Sequence, residues 1–280
     1  MNKDWYEAIF IRHSRRKFSD TPIEAEKLQR LEELIGEVNE STNAARVLLV
    51  RSHDGSIFSS RRGGYGVIKG APAYLAFVGR PDRSDSYERL GYIGEAAVLE
   101  ATRLGLGSCW VSGTFDSSAA AADLSLATDP GEQVIAVSPL GYPKDSYSLT
   151  EKVMSGFAGS RKRKPLKQIC FGTPLREWPD WARTAAEAAR IAPSAINRQP
   201  WMFRYDGREL RVETTGPDSG GRYSKRLDCG IALRHLEVGA QQELGQAVSV
   251  DFYPAPQVAG ISVTEMEVTL LAAASSLHTS

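Results

Sequence analysis

Ala192-Pro193-Ser194-Ala195-Ile196-Asn197-Arg198-Gln199-Pro200-Trp201 sits between a helical period (Trp181, Ala185, Ala188, Ala192) and a β-rich run from Trp201 to Tyr205. Two prolines exclude regular helix here, while Ser194, Asn197 and Gln199 present donors and acceptors on a stiffened loop. The residues alone fit an ordinary helix-to-strand connection as well as a binding loop. Outward from it, helical spacing recurs at Leu28, Leu31, Ile35 and Val38, at Ile93, Ala97, Ala101 and Leu104, and at Leu233, Leu236, Ala240 and Leu244. β-rich runs occupy 46–50, 73–78, 134–137, 210–214 and 248–253. Such alternation predicts an α/β or α+β layer fold.

Helix, strand, strand, small-residue helix and strand appear before residue 145 and again after 175. Gly94 and Gly230, expected to open the two small-residue helices, are separated by 230 − 94 = 136 residues, close to half the chain. A divergent internal duplication fits this order. Residue identity between the halves is poor, so simple α/β alternation is the other account. Glu151 to Pro165 is expected as an exposed connection and Ala272 to Ser280 as a frayed tail.

With 34 basic and 34 acidic residues among 280, the formal charge is zero, and no global field exists to hold nucleic acid or an anionic membrane. Cys109, Cys170 and Cys229 are widely spaced and fit neither a disulfide framework nor a zinc site. No apolar run is long enough for a bilayer span, and the N-terminus lacks a signal-type apolar region, so a cytoplasmic location is expected.

Two further segments could carry chemistry. Arg12-His13-Ser14-Arg15-Arg16-Lys17-Phe18 is a basic knot whose guanidinium groups can bind a phosphate dianion, although a solvated helix end has the same composition. Leu104-Gly105-Leu106-Gly107-Ser108-Cys109-Trp110-Val111-Ser112-Gly113-Thr114-Phe115 would let backbone approach a flat ligand, or is a helix C-cap followed by a strand. His13, His53, His235 and His278 form no triad or metal spacing, and His235 is expected to be structural.

Together the three segments resemble the FMN-dependent nitroreductase family, through Arg12-x-Ser14-x-Arg16 and Pro193-Ser194-x-x-Asn197-x-Gln199-Pro200-Trp201. Gly70-Ala71-Pro72, Leu140-Gly141-Tyr142-Pro143 and Arg161-Lys162-Arg163-Lys164-Pro165-Leu166 extend the likeness. The resemblance implies an α+β fold with central antiparallel or mixed sheets flanked by helices. It also implies bound FMN, with NAD(P)H as donor and a nitroaromatic, quinone or similar small molecule as acceptor.

By the same resemblance, Arg12, Ser14, Arg161 and Arg163 would surround the phosphate, joined by Ser194 and Asn197. Arg16 would approach the pyrimidine edge, and Ser112, Gly113 or Thr114 would supply a donor near N5. Pro193 and Ala195 join the implied cofactor set, as do His13, which alternates with the ligands and would equally pack or face solvent, and Tyr65, whose Gly64-Tyr65-Gly66 stretch would place backbone under the ring or be a plain glycine turn. No catalytic acid, base or metal is implied. The alternative within the same fold is a flavin-binding or sensing protein with little turnover.

One departure matters. The family carries its two motifs close together and builds each site across a homodimer, whereas here they stand 194 − 14 = 180 residues apart. Asn39 to Ala45 lacks the prolines expected of the first half, and Trp178 to Arg183 lacks the basic knot expected of the second. The expectation is a covalent pseudo-dimer of halves 1–167 and 168–280, binding one FMN per chain and acting as a monomer.

Overall fold

The computed structural model describes residues 3–51, 56–58, 68–124, 131–144, 162–218, 220–253 and 257–263. The first half runs α1 (Lys3–Ile11), α2 (Ala25–Glu40), β1 (Ala45–Val50), β2 (Ala73–Gly79), α3 (Ser86–Arg103), β3 (Gly107–Ser108), α4 (Ser117–Asp123) and β4 (Gln133–Gly141). The second runs α5 (Leu166–Ile169), β5 (Cys170–Gly172), α6 (Asp180–Arg190), β6 (Trp201–Tyr205), β7 (Glu209–Thr214), α7 (Lys225–Leu244), β8 (Ser249–Phe252) and β9 (Gln257–Ser262). The four helical periods and six β-rich runs all fall on such elements. The 167/168 boundary falls inside α5.

The fold is α+β, as expected. One sheet has the order β1-β2-β4-β3 and is antiparallel throughout; the other has the order β5-β6-β7-β9-β8, with only β5 pairing in parallel, against β6. Without β5, the second order β6-β7-β9-β8 is that of the first sheet. In each sheet a helix precedes the first strand and a long helix joins the second to the third.

Every residue of β2 is buried. Tyr74, Ala76 and Val78 pack with Val111, Phe115 and Val137 on one face, while Leu75 and Phe77 pack with Leu90, Ile93 and Ala97 on the other. Coverage of both faces explains why the strand reads as a continuous apolar run. In the second sheet Trp201, Phe203 and Tyr205 alternate with less buried neighbours and meet Ala185, Ala189, Leu233 and Leu236.

Helix α7 is buried without interruption from Arg226 to Ala240, as expected of a helix surrounded by protein. It crosses α3 at backbone distance. A methyl on Gly230 would press on the Glu88 carbonyl and lie 2.9 Å from its Cα; one on Gly91 would press on the Leu227 carbonyl and lie 2.9 Å from Ile231 N. The contacts are reciprocal, since 230 − 91 and 227 − 88 both give 139. This corrects the expected offset of 136: Gly94 and Gly230 lie inside their helices, and Gly91 is the counterpart of Gly230 at the crossing. Gly94 instead makes room for Trp110, which stacks on Phe77 at 3.9 Å. The buried charges at the crossing are matched, with Arg226 Nε donating to Glu88 Oε2 at 2.9 Å.

Candidate functional site

The basic knot leaves α1 as an extended strap tied to three neighbours. Ser14 bridges Ser108 in parallel, Arg15 N donates to Ser108 O at 2.8 Å, and Lys69 N donates to Arg16 O at 2.9 Å. Ser19 N reaches Tyr142 O at 2.8 Å. Strap residues Ser14 and Arg16 are half-buried and His13 is exposed. Arg12 stands apart from the rest, only 8% exposed, with an Nε that meets no hydrogen-bond acceptor among the described residues. Glu95 Oε1 is 3.9 Å away, outside hydrogen-bond range.

Arg163 comes to the same neighbourhood from the segment between the halves. Its Nη1 donates to Asn197 Oδ1 at 2.8 Å and its Nη2 to Ile191 O at 3.2 Å. Burial pushes the guanidinium down to about 10, and the nearby charges of Arg12 and Arg190 push the same way. Composition assigns residues 162–165 to an exposed connection, but Arg163 and Lys164 are half-buried and hydrogen-bonded. Arg161, like Tyr65, lies outside the described residues.

The proline-flanked loop is held by its own polar side chains. Gln199 is buried; its Oε1 accepts from Lys164 N at 2.8 Å, and its Nε2 donates to Lys162 O at 3.2 Å. Asn197 Nδ2 also donates to Lys162 O, at 2.9 Å. Gln199 N donates to Ser194 Oγ at 2.9 Å. These bonds lock an unusual backbone: Ile196, Asn197 and Gln199 have φ of 48°, 57° and 47°. The left-handed region is costly for a branched residue such as Ile196, which is 85% exposed and gains little burial in return. Pro193 is buried, while Ser194 and Ala195 are half-buried.

Asp228 on α7 anchors the loop from below. It accepts from Ala195 N at 3.2 Å and from Arg198 Nε at 2.7 Å. Burial pushes its carboxyl up to about 6, against the opposing pull of Arg198. Arg198 also donates to the carbonyls of Tyr223 and Ser224, each at 2.9 Å. Tyr223 in turn covers the turn at Ser112-Gly113-Thr114, since a methyl on Gly113 would lie 2.8 Å from the phenol oxygen.

Arg12, Arg163 and Asn197 thus converge, with Ser14 joined to the strand that leads to Ser112–Thr114. The arrangement offers one buried and one half-buried guanidinium, the type of group that binds a phosphate-type dianion. Arg198, Asp228 and Tyr223 were not expected around the site, whereas Gln199 belongs to the loop motif as a donor or acceptor. Nothing local in the sequence marks Asp228, because α7 also carries Arg226, Arg234, His235 and Glu237. Among the described residues no group of three or more His, Cys, Asp or Glu could hold a metal ion, and no helix is long and apolar enough to cross a membrane.

The architecture is similar to that of a solved nitroreductase. A nitroreductase (tm1586) from Thermotoga maritima MSB8 superposes with a TM-score of 0.63 at 22% identity, covering 93% of this chain and 94% of that one, which establishes a shared fold. An FMN-dependent nitroreductase from Clostridium difficile R20291 matches with a TM-score of 0.42 at 20% identity, over 51% of this chain and 92% of its own. A nitroreductase from Bacteroides fragilis NCTC 9343, solved with bound FMN, matches with a TM-score of 0.41 at 21% identity, over 52% and 91%. No curated protein matches the sequence. Residues 4–240 match the family described as "Putative TM nitroreductase", and the chain belongs to that nitroreductase family of oxidoreductases.

Proposed function

We propose that the chain is an FMN-dependent oxidoreductase that folds as a covalent pseudo-dimer of halves 1–167 and 168–280 and holds one cofactor between them. The observation that carries this reading is the Arg163–Asn197 hydrogen bond in the field of Arg12, where the first-half strap, the connecting segment and the second-half loop meet. The identical strand orders and the reciprocal glycine crossing support duplication, because contacts in which i meets j and j meets i are the mark of a two-fold axis.

The residues fit FMN. Arg12 presents a buried Nε–H unmatched among the described residues, and the crowding of Arg163 by two other arginines is relieved by a dianion. Arg12, Ser14 and Arg163 would hold the phosphate, together with Arg161; Asn197 and Gln199 keep Arg163 in place. Ser194, Ala195 and Pro193 would border the cofactor from the second half, with His13 and Tyr65 completing the shell. Arg16 would place a fixed cation at the pyrimidine edge, and the Ser112–Thr114 turn would offer a donor near N5. When bound, FMN supplies a two-electron carrier that takes hydride from NAD(P)H and delivers it to a nitroaromatic, quinone or similar acceptor. The protein's part is binding, orientation and charge placement, with no general acid or base.

Flavin released by denaturation, measured beside the mass of the native protein, tests the assembly: one FMN per chain in a monomer is expected, and two per chain contradicts it. Anaerobic mixing with NADPH or NADH tests the activity. Rapid bleaching is expected; protein that stays colourless after incubation with FMN ends the reading.

A further inference from the structure

Glu95 and His235 are fully buried and face each other between α3 and α7. Glu95 Oε2 accepts from Trp110 Nε1 at 2.7 Å, and Oε1 lies 2.9 Å from His235 Nε2. The other ring nitrogen of His235, Nδ1, lies 3.1 Å from the carbonyl of Ala188 on α6. A carbonyl only accepts, so Nδ1 carries a hydrogen. A neutral imidazole has a single N–H, and its Nε2 lone pair would then confront a carboxylate in a dry interior. One more proton must therefore lie between Nε2 and Oε1, on the imidazole or on the carboxyl.

Charge counting gives the consequence. With the proton on either atom, Arg12, Glu95 and His235 sum to +1; without it they sum to zero. Glu95 Oε2 accepts from Trp110 and Oε1 faces His235, and Oε1 lies 3.9 Å from Arg12 Nε, an ion-pair separation outside hydrogen-bond range. The neighbouring cation on α7, Arg234, is occupied by Glu237, by the Tyr92 carbonyl at 3.2 Å and by the Tyr92 ring. Arg163 adds a second cation on the ligand side.

The geometry points to Glu95 and His235 as a positioning pair that shares one proton, so that Arg12, Glu95 and His235 together keep a net charge of +1 with which to bind a phosphate-monoester dianion. This rests on the reading of Arg12 as a phosphate ligand. A buried ionisable pair is seldom worth more to stability than apolar packing, which favours an electrostatic use.

Binding of FMN and, separately, of inorganic phosphate tests the charge count. His235→Gln can still donate to Glu95 but brings no extra proton, so the sum falls to zero and both ligands should bind roughly tenfold more weakly. Glu95→Gln keeps the sum at +1 and should stay within about threefold of wild type. The double variant should recover the binding lost in His235→Gln. A pair that only ties α3 to α7 predicts a double variant weaker than either single one, and that result overturns the proposal.

Histidine-labelled nitrogen NMR on the intact protein is a second measurement that needs no ligand. It should show one strongly deshielded proton at His235 that disappears in Glu95→Gln; a bare Nε2 in the wild type also overturns the proposal. The expected pattern with phosphate but no FMN binding leaves the shared proton standing and rejects the flavin. FMN binding without rescue in the double variant does the reverse.

Discussion

Arg163 and Asn197 are joined by a 2.8 Å hydrogen bond from guanidinium to amide oxygen, which fixes a cation from the inter-half segment against the left-handed turn of the second half. Asn197→Ala removes that acceptor and the amide bond to Lys162 O. Losing a hydrogen bond to a charged group costs about 1.5–3 kcal/mol, so FMN should bind at least tenfold more weakly in a titration of flavin fluorescence. Unchanged affinity would separate Arg163 from the cofactor.

The α3–α7 crossing leaves no room for side chains. Gly91→Ala and Gly230→Ala each put a methyl into the opposite helix backbone and should cost about 3 kcal/mol or more in chemical denaturation. Gly36 on α2, where a methyl would meet nothing within 4 Å, is the control: Gly36→Ala should gain about 0.5–1 kcal/mol. Equal effects at the three sites would contradict the close crossing.

Ile196 holds a left-handed backbone with its side chain in solvent. Ile196→Gly removes the clash of Cβ with its own backbone, worth about 1–2 kcal/mol, and gives back part of that as chain entropy. The melting temperature should rise slightly. A fall would mean that the isoleucine makes a stabilising contact.

Asp228 gives a pH dependence of defined sign. Burial raises its carboxyl to about 6 in the fold, above the unfolded value, so its contribution to stability is full at low pH and is lost as pH rises through about 6. Asp228→Asn mimics the protonated side chain. Relative to wild type, the variant should therefore gain about 2 kcal/mol between roughly pH 4.5 and pH 7.5 in urea denaturation. A constant difference across that range would show that burial does not perturb this group.

Arg16, tied by its carbonyl to Lys69 N at 2.9 Å, is predicted to stabilise the anionic reduced flavin. Arg16→Met should lower the midpoint potential, by roughly 30 mV for each 1.4 kcal/mol of stabilisation lost. Spectroelectrochemistry checks it, and an unaltered potential removes this role.

Much of the fold was legible because its signals are local. The period of Leu28, Leu31 and Ile35 marks α2, and the run Ala73 to Gly79 marks β2, whatever they pack against. Strand β9 carries no comparable signal because Gly260 interrupts its apolar pattern, and only the structure shows the Glu209 side chain filling the space above that glycine. The basic run at 161–164 looks like a solvated connection by composition. Lys164 is drawn in by two bonds to Gln199, a residue 35 positions away.

The sequence by itself determined the element order, the family likeness and the two motifs, because helical period, strand alternation and proline stiffening act over a few neighbouring residues. Tertiary structure alone decided that Arg163 meets Asn197, that Gly91 and not Gly94 opposes Gly230, and that Glu95, Trp110, His235 and Arg12 surround one buried point. Those relationships depend on how two helices cross and on which polar groups remain after water is excluded. Neither quantity is encoded in the spacing of residues along a chain.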